Sequence, residues 1–195
     1  MPGPPQSRKA FLRTAGLGTA AGTTVLLSAC GGSSKDSSPD RGGPDGGASP
    51  DDVRILNSAL DMENVAASTY RAVAGELRGS AQAIAKLFAE QEQEHADGLA
   101  QAIRDLGGVP SERRSQGALT VRGSTRRQVL DQTVRLENRA IAAYLDALPK
   151  LSSPDLRGTT AAILTSEAEH LSVLLGELGE PAVPQAFVTG KRRRA

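Results

Sequence analysis

Apolar residues recur at alternating steps of three and four in four stretches of the chain, and in each stretch a carboxylate interrupts the apolar stripe near its middle. The first stretch runs from Ser49 to about Leu77, with Leu56, Ala59/Leu60, Ala66/Ala67, Tyr70, Ala74 and Leu77 on one face and Glu63 among them. The second, from about Ser80 to Gly107-Gly108, carries Ile84, Phe88, Leu99, Ile103 and Leu106, interrupted by Glu92 and His95. The third, from Ser124 to just before Pro149, sets Leu130, Val134, Ile141, Tyr144 and Leu148 around Glu137. The fourth, from Ser153 to Gly179, sets Leu156, Thr160, Ile163, Leu174 and Leu178 around Glu167 and His170. This period predicts four amphipathic helices and an all-α fold. Flanking residues agree. Ser49-Pro50-Asp51-Asp52 and Ser153-Pro154-Asp155 each supply a cap, a proline in the first turn and acids that favour the helix dipole. Gly107-Gly108, with Pro110 just beyond, is a stop signal.

The connections predict a topology. Only a few residues separate the first helix from the second and the third from the fourth, so each pair is expected to form an antiparallel hairpin. About 15 residues, Val109 to Gly123, separate the hairpins. Extended, they reach roughly 50 Å, and a helix of about 26 residues is roughly 39 Å long. The crossover can therefore run the length of a bundle and leave the second and third helices parallel.

Because each polar interruption falls near a helix midpoint, the four coincide at one level whichever way each helix runs. Four unpaired carboxylates at one level of a core would cost several kcal/mol each or stay protonated. Two divalent cations would neutralise them, with two imidazoles as further donors. The candidate ligands are Glu63, Glu92, His95, Glu137, Glu167 and His170, and both histidines of the chain are in this set. Salt-bridged or solvated acids with two structural histidines are the alternative. Glu90, Glu94 and Glu169 fall off the stripes and read as solvent-facing charge, as do Arg113-Arg114 and Arg126-Arg127. The halves also repeat: Leu56, Glu63, Asn64 and Tyr70 match Leu130, Glu137, Asn138 and Tyr144 at an offset of 74, and Glu92, His95 and Leu99 match Glu167, His170 and Leu174 at an offset of 75. Two related hairpins about a pseudo-twofold axis would build a symmetric two-metal site.

Composition narrows the picture. The formal net charge is +1, so nothing points to nucleic acid as a partner. Tryptophan is absent and aromatics are scarce, which suits close helix packing and poorly suits a stacking site for bases or sugars. The single cysteine, Cys30, excludes an intramolecular disulfide and a multi-cysteine zinc site.

Residues 1–29 read as a cleaved export signal rather than as structure. Ser7-Arg8-Lys9-Ala10-Phe11-Leu12 resembles a twin-arginine signal with lysine in the second arginine's place, and the general secretory route is the alternative. Leu27-Ser28-Ala29-Cys30 resembles a bacterial lipobox, which implies lipidation of Cys30. Residues 30–48 are rich in Gly, Ser, Pro and Asp and read as a tether of roughly 20–25 Å. Loss of Arg8, Lys9 and Arg13 leaves 20 basic and 22 acidic residues, a charge of about −2. The expected location is the bacterial cell envelope, on the outer face of the cytoplasmic membrane, held by a lipid anchor. Residues 180–195 form a tail that ends in Lys191-Arg192-Arg193-Arg194, a candidate contact for anionic lipid, and Val183 and Phe187 are candidates for packing back on the bundle.

The order Glu, Glu-x-x-His, long crossover, Glu, Glu-x-x-His resembles the ferritin-like superfamily, as in bacterioferritins and other di-iron carboxylate proteins. Asp52 to Glu63 is similar to the first helix of desiccation-related and other exported ferritin-like proteins, and the whole resemblance covers about residues 50–178. It implies a ferritin-like four-helix bundle over residues 49–179 in which Glu92 and Glu167 bridge two metals, Glu63 and Glu137 are terminal carboxylates, and His95 and His170 each cap one ion. It also implies that Tyr70 and Tyr144 lie near the metals, with hydrogen bonding to ligands and simple core packing both open. Carboxylate and imidazole donors suit iron first and manganese as well, over Cu(I). The function expected is an exported dinuclear redox protein acting on O2 or peroxide as a ferroxidase, peroxidase or oxidase. The alternative is a non-enzymatic envelope bundle, structural or stress-protective, in which metal is absent or only stabilises. A lipid tether on each subunit would hinder a closed storage shell, and a homodimer is left open. No cysteine-rich electron-transfer module accompanies the bundle, so electrons would come from the substrate or a partner.

Overall fold

The computed structural model describes residues 49–112 and 125–191. The export signal, Cys30, the tether, residues 113–124 of the crossover and the last four residues lie outside them. Among the described residues four helices make up the fold: α1 (Pro50–Glu76), α2 (Gly79–Asp105), α3 (Arg126–Ala147) and α4 (Pro154–Glu177), with a 3-10 turn, Leu148–Lys150, after α3. No strand occurs among the described residues. None of the helices is long and apolar enough to cross a membrane.

Local chemistry sets the helix ends. Ser49 and Ser153 cap α1 and α4 through their hydroxyls. The cap of α3 is Thr125, one residue later than the Ser124 start that the sequence predicts: Thr125 Oγ1 accepts from the Gln128 amide, and the Gln128 side chain accepts from the Thr125 amide, each at 3.3 Å. That reciprocal capping box satisfies two amides at once. The helices α2 and α4 stop the same way. Gly107 and Gly179 take positive φ, 75° and 73°, and the next amides, of Gly108 and Glu180, bond back to the carbonyls of Ile103 and Leu175 at 2.9 Å, as in a Schellman cap.

Side-chain contacts fix the direction of the helices. Ser80 at the start of α2 and Arg126 at the start of α3 both bond Glu177 at the end of α4. The first turns of α2 and α3 therefore lie at one end of the bundle, so those two helices run parallel and the hairpins are antiparallel. At the opposite end Asp52, buried in the first turn of α1, accepts from the Ser152 amide at 2.9 Å and from its hydroxyl. Close approach of α1 and α2 is permitted by alanines, with Ala66, Ala67, Ala81, Ala85 and Ala96 all buried.

The core forms two apolar clusters. One holds Val73, Leu77, Phe88, Leu130, Val134 and Leu174; the other holds Leu56, Leu60, Leu99, Ile103, Leu156 and Ile163. The glutamates and histidines of the helix midpoints lie between them in sequence on every helix. Arg126 and Arg127 are exposed, as expected, and they also pair with Glu177 and Glu180, tying the start of α3 to the end of α4. One surface reading needs correction. Val183 and Phe187 do not pack on the bundle, being 78% and 80% exposed. The tail docks through its backbone instead. Ser172 Oγ donates to the Ala182 carbonyl at 3.0 Å, and Gly190 lies so close to α3 that a Cβ there would fall 2.6 Å from that of Ala142.

Candidate metal centre

Helical spacing carries two ligand-type side chains per hairpin into each other's reach. Glu92 and His95, like Glu167 and His170, stand three residues apart and so one above the other on a helix face. All four glutamates and His170 are buried, and His95 is partly buried. The two Glu-x-x-His pairs then interleave. Glu92 sets Oε2 3.3 Å from His95 Nδ1 and Oε1 3.3 Å from His170 Nδ1. Glu167 sets Oε1 3.1 Å from His95 Nδ1 and Oε2 3.7 Å from His170 Nδ1. Glu63 approaches His95 alone, at 3.5 Å, and Glu137 approaches His170 alone, at 3.9 Å. Two groups result, Glu63/Glu92/His95/Glu167 and Glu92/Glu137/Glu167/His170, each with ligand atoms within 4.8 Å of one another. Glu92 and Glu167 belong to both.

The tyrosines bond the carboxylates, and they do so across the halves. Tyr70 of α1 donates to Glu137 of α3, and Tyr144 of α3 donates to Glu63 of α1. Burial and the facing carboxylates push both phenols well above their ordinary range, so they stay protonated donors.

Electrostatics divide the glutamates into two kinds. Burial, reinforced by neighbouring carboxylates, pushes Glu63 and Glu137 well above the ordinary carboxylate range. Burial opposes ionisation of Glu92 and Glu167 as well, but hydrogen bonds from His170, His95 and the adjacent carboxyl outweigh it and hold both below that range. For the imidazoles, burial favours the neutral form and the carboxylates overcome it: His95 is pushed up to about 12, chiefly by Glu167 and Glu63, and His170 is raised by Glu167 and Glu92. Without a cation the layer is thus balanced, two carboxylates against two imidazoliums with two neutral carboxyls. Two divalent ions with four carboxylates and two neutral imidazoles are balanced as well. Glu92 Oε1, Glu137 Oε2, Glu167 Oε1 and His170 Nδ1 are buried with no well-aligned hydrogen bond, although Glu92 Oε1 lies 3.3 Å from His170 Nδ1 and Glu167 Oε1 3.1 Å from His95 Nδ1; poor alignment is costly in a core, and a cation between these atoms would relieve it. The buried groups can hold metal ions, and oxygen-rich donors with one imidazole per group suit iron or manganese.

A family model described as a ferritin-like domain matches residues 51–180. The chain belongs to that family. No curated protein matches it. Every glutamate and histidine of the sequence pattern stands in the shared layer of this ferritin-like bundle, while Glu90, Glu94 and Glu169 face solvent as expected. Two neighbours of the layer have no sequence signal of their own. Gln91 Oε1 lies 2.9 Å from His170 Nε2, and the Phe88 ring stacks on His170 at 3.9 Å between centroids. Phe88 is in turn met edge-on by Tyr70. Phe88 reads in sequence as core packing, and Gln91 lies off the apolar stripe.

Proposed function

We propose that this ferritin-like protein holds a dinuclear metal centre, iron before manganese, and works at the outer face of the cytoplasmic membrane, lipidated at Cys30 and exported through a twin-arginine signal. In this reading Glu92 and Glu167 bridge the two ions, Glu63 and Glu137 are terminal ligands, and His95 and His170 cap one ion each. The observation that carries it is the sharing of both Glu92 and Glu167 between two ligand groups, with one carboxylate oxygen turned to each histidine.

A redox-active ion pair bound there would supply electrons to O2 or peroxide. The chain's own residues account for the rest of the site. The apolar clusters Leu56–Leu60–Ile103 and Val73–Leu77–Leu130 exclude bulk water from the layer. Burial keeps the local dielectric low, which strengthens each contact. Tyr70 and Tyr144 hold protons at their hydroxyls, against Glu137 and Glu63, and orient those carboxylates.

The test is metal content by mass spectrometry, on protein purified without chelator and reconstituted with Fe(II) or Mn(II). Two equivalents per chain, lost in Glu92→Ala, are expected. No tight metal under any of these conditions would overturn the dinuclear reading in favour of a structural envelope bundle.

A further inference from the structure

We infer that Gln91 is a positioning residue for His170 and that it makes the two metal positions unequal. The position framed by Glu92, Glu137, Glu167 and His170 takes the first and tighter ion, and the position framed by Glu63, Glu92, His95 and Glu167 takes the second, exchangeable one. The inference rests on the dinuclear reading.

At the offset of 75 that relates α2 to α4, Gln91 corresponds to Ser166 and Phe88 to Ile163. The ligands repeat, but the two residues that grip His170 do not. Gln91 Oε1 accepts from His170 Nε2–H at 2.9 Å. A donated Nε2–H fixes the tautomer once the ring is neutral and leaves Nδ1 turned into the layer, 3.3 Å from Glu92 Oε1. Phe88, stacked at 26° to the imidazole, limits rotation of the ring. At the matching positions of α4, Ser166 makes no hydrogen bond to His95 and Ile163 has no aromatic ring to stack on it. The His95 side chain is 14% exposed and that of His170 only 3%.

The other contacts of the two groups match. Glu63 accepts from Tyr144 and Glu137 from Tyr70, and His95 Nδ1 and His170 Nδ1 each lie 3.3 Å from one Glu92 oxygen. An ion entering the His170 position therefore meets a ring already oriented by Gln91 and Phe88. An ion entering the other position must fix a freer ring. Outer hydrogen bonds of this kind are worth about 10–100-fold in metal affinity.

The experiment is an anaerobic titration of the full chain with Co(II) alone, followed by visible absorption and calorimetry. The unsubstituted chain is expected to take up two equivalents in two resolved steps. Gln91→Leu should weaken the tighter step about 10–100-fold and leave the other in place. Gln91→Glu, which keeps an acceptor oxygen at the same reach, should restore it, and the mirror substitution Ser166→Leu should move neither step. Independently of these, His170→Ala should abolish the tighter step and His95→Ala the weaker one. Metal-free thermal unfolding of each variant checks that the bundle is intact. Two steps that Gln91→Leu leaves unchanged, or weakens alike, would overturn this inference alone, as would loss of the weaker step in His170→Ala. No uptake by the unsubstituted chain would overturn the dinuclear reading and this inference with it.

Discussion

The two hairpins, α1–α2 and α3–α4, repeat their ligand residues position by position, and α2 and α4 even end in the same glycine cap. Their connections do not repeat. Leu77 and Arg78 alone join α1 to α2, whereas a 3-10 turn and a buried Leu151 lie between α3 and α4. More telling is where each hairpin finds support for its ligands. Glu63 is bonded by Tyr144 of the other hairpin, Glu137 by Tyr70, and His170 by Gln91. Each hairpin pairs carboxylate with histidine internally, but its terminal carboxylate takes its tyrosine hydrogen bond from the other hairpin. The repeat supplies donors twice, and pairing of the halves supplies their orientation, so the layer exists only in the assembled bundle.

The largest expected effect separates shared from unshared ligands. Glu92→Ala or Glu167→Ala removes a carboxylate that faces both histidines, and should reduce bound metal from two equivalents to none. Glu63→Ala or Glu137→Ala touches one group only and should leave one equivalent. Equal losses from all four variants, measured as metal per chain, would break the distinction between bridging and terminal positions.

Proton release comes next. Without metal, Glu63, Glu137, His95 and His170 all have raised pKa values and favour their protonated forms. Metal ligands must be deprotonated, so these groups lose protons as ions bind. The sign follows: affinity rises with pH, and acid drives metal off. Up to four protons should leave as two ions enter, keeping the layer neutral. Calorimetry in buffers of different ionisation enthalpy reads that number; uptake without proton release would contradict the assigned protonation.

A smaller effect tests the crossed tyrosines. Tyr70→Phe deprives Glu137 of its donor and Tyr144→Phe deprives Glu63. Each should cost about 1–3 kcal/mol of metal-free stability, the usual range for a buried polar partner left unpaired, measured by urea unfolding. Each should also perturb one metal position rather than two. A Tyr70→Phe variant that weakened only the His95 position would show that the crossing is wrong.

The helix period made the ligand layer legible, because a carboxylate on an apolar stripe is conspicuous, and four of them with two histidines at one level leave little freedom. The tyrosines were legible as members of the same face but not as partners across the halves: Tyr70, seven residues after Glu63, points in sequence to its own helix. Gln91 was hidden beside Glu92, since its contact depends on how α2 meets α4 rather than on any spacing along α2. The pairing of Arg126 and Arg127 with the end of α4, and the docking of the tail by backbone rather than by Phe187, likewise depend on tertiary neighbours that periodicity does not encode. The export signal and Cys30 rest on their sequence patterns.

The smallest effect expected here distinguishes support of the bundle from support of the site. Thr125 caps α3 where the crossover reaches it, twelve positions before Glu137 in sequence. Thr125→Ala removes a hydroxyl that accepts from the Gln128 amide and opens the capping box, at a cost of about 0.5–2 kcal/mol. Fraying at the first turn of α3 leaves the turns that carry Glu137 and Tyr144 in place, so both metal steps should keep their affinities even as the unfolding midpoint falls. The contrast with Tyr70→Phe is then informative because the stability losses overlap: one variant shifts a metal step and the other does not. If Thr125→Ala also weakened metal binding, the layer would depend on global stability, and the position-specific support argued for Tyr70, Tyr144 and Gln91 would lose its basis.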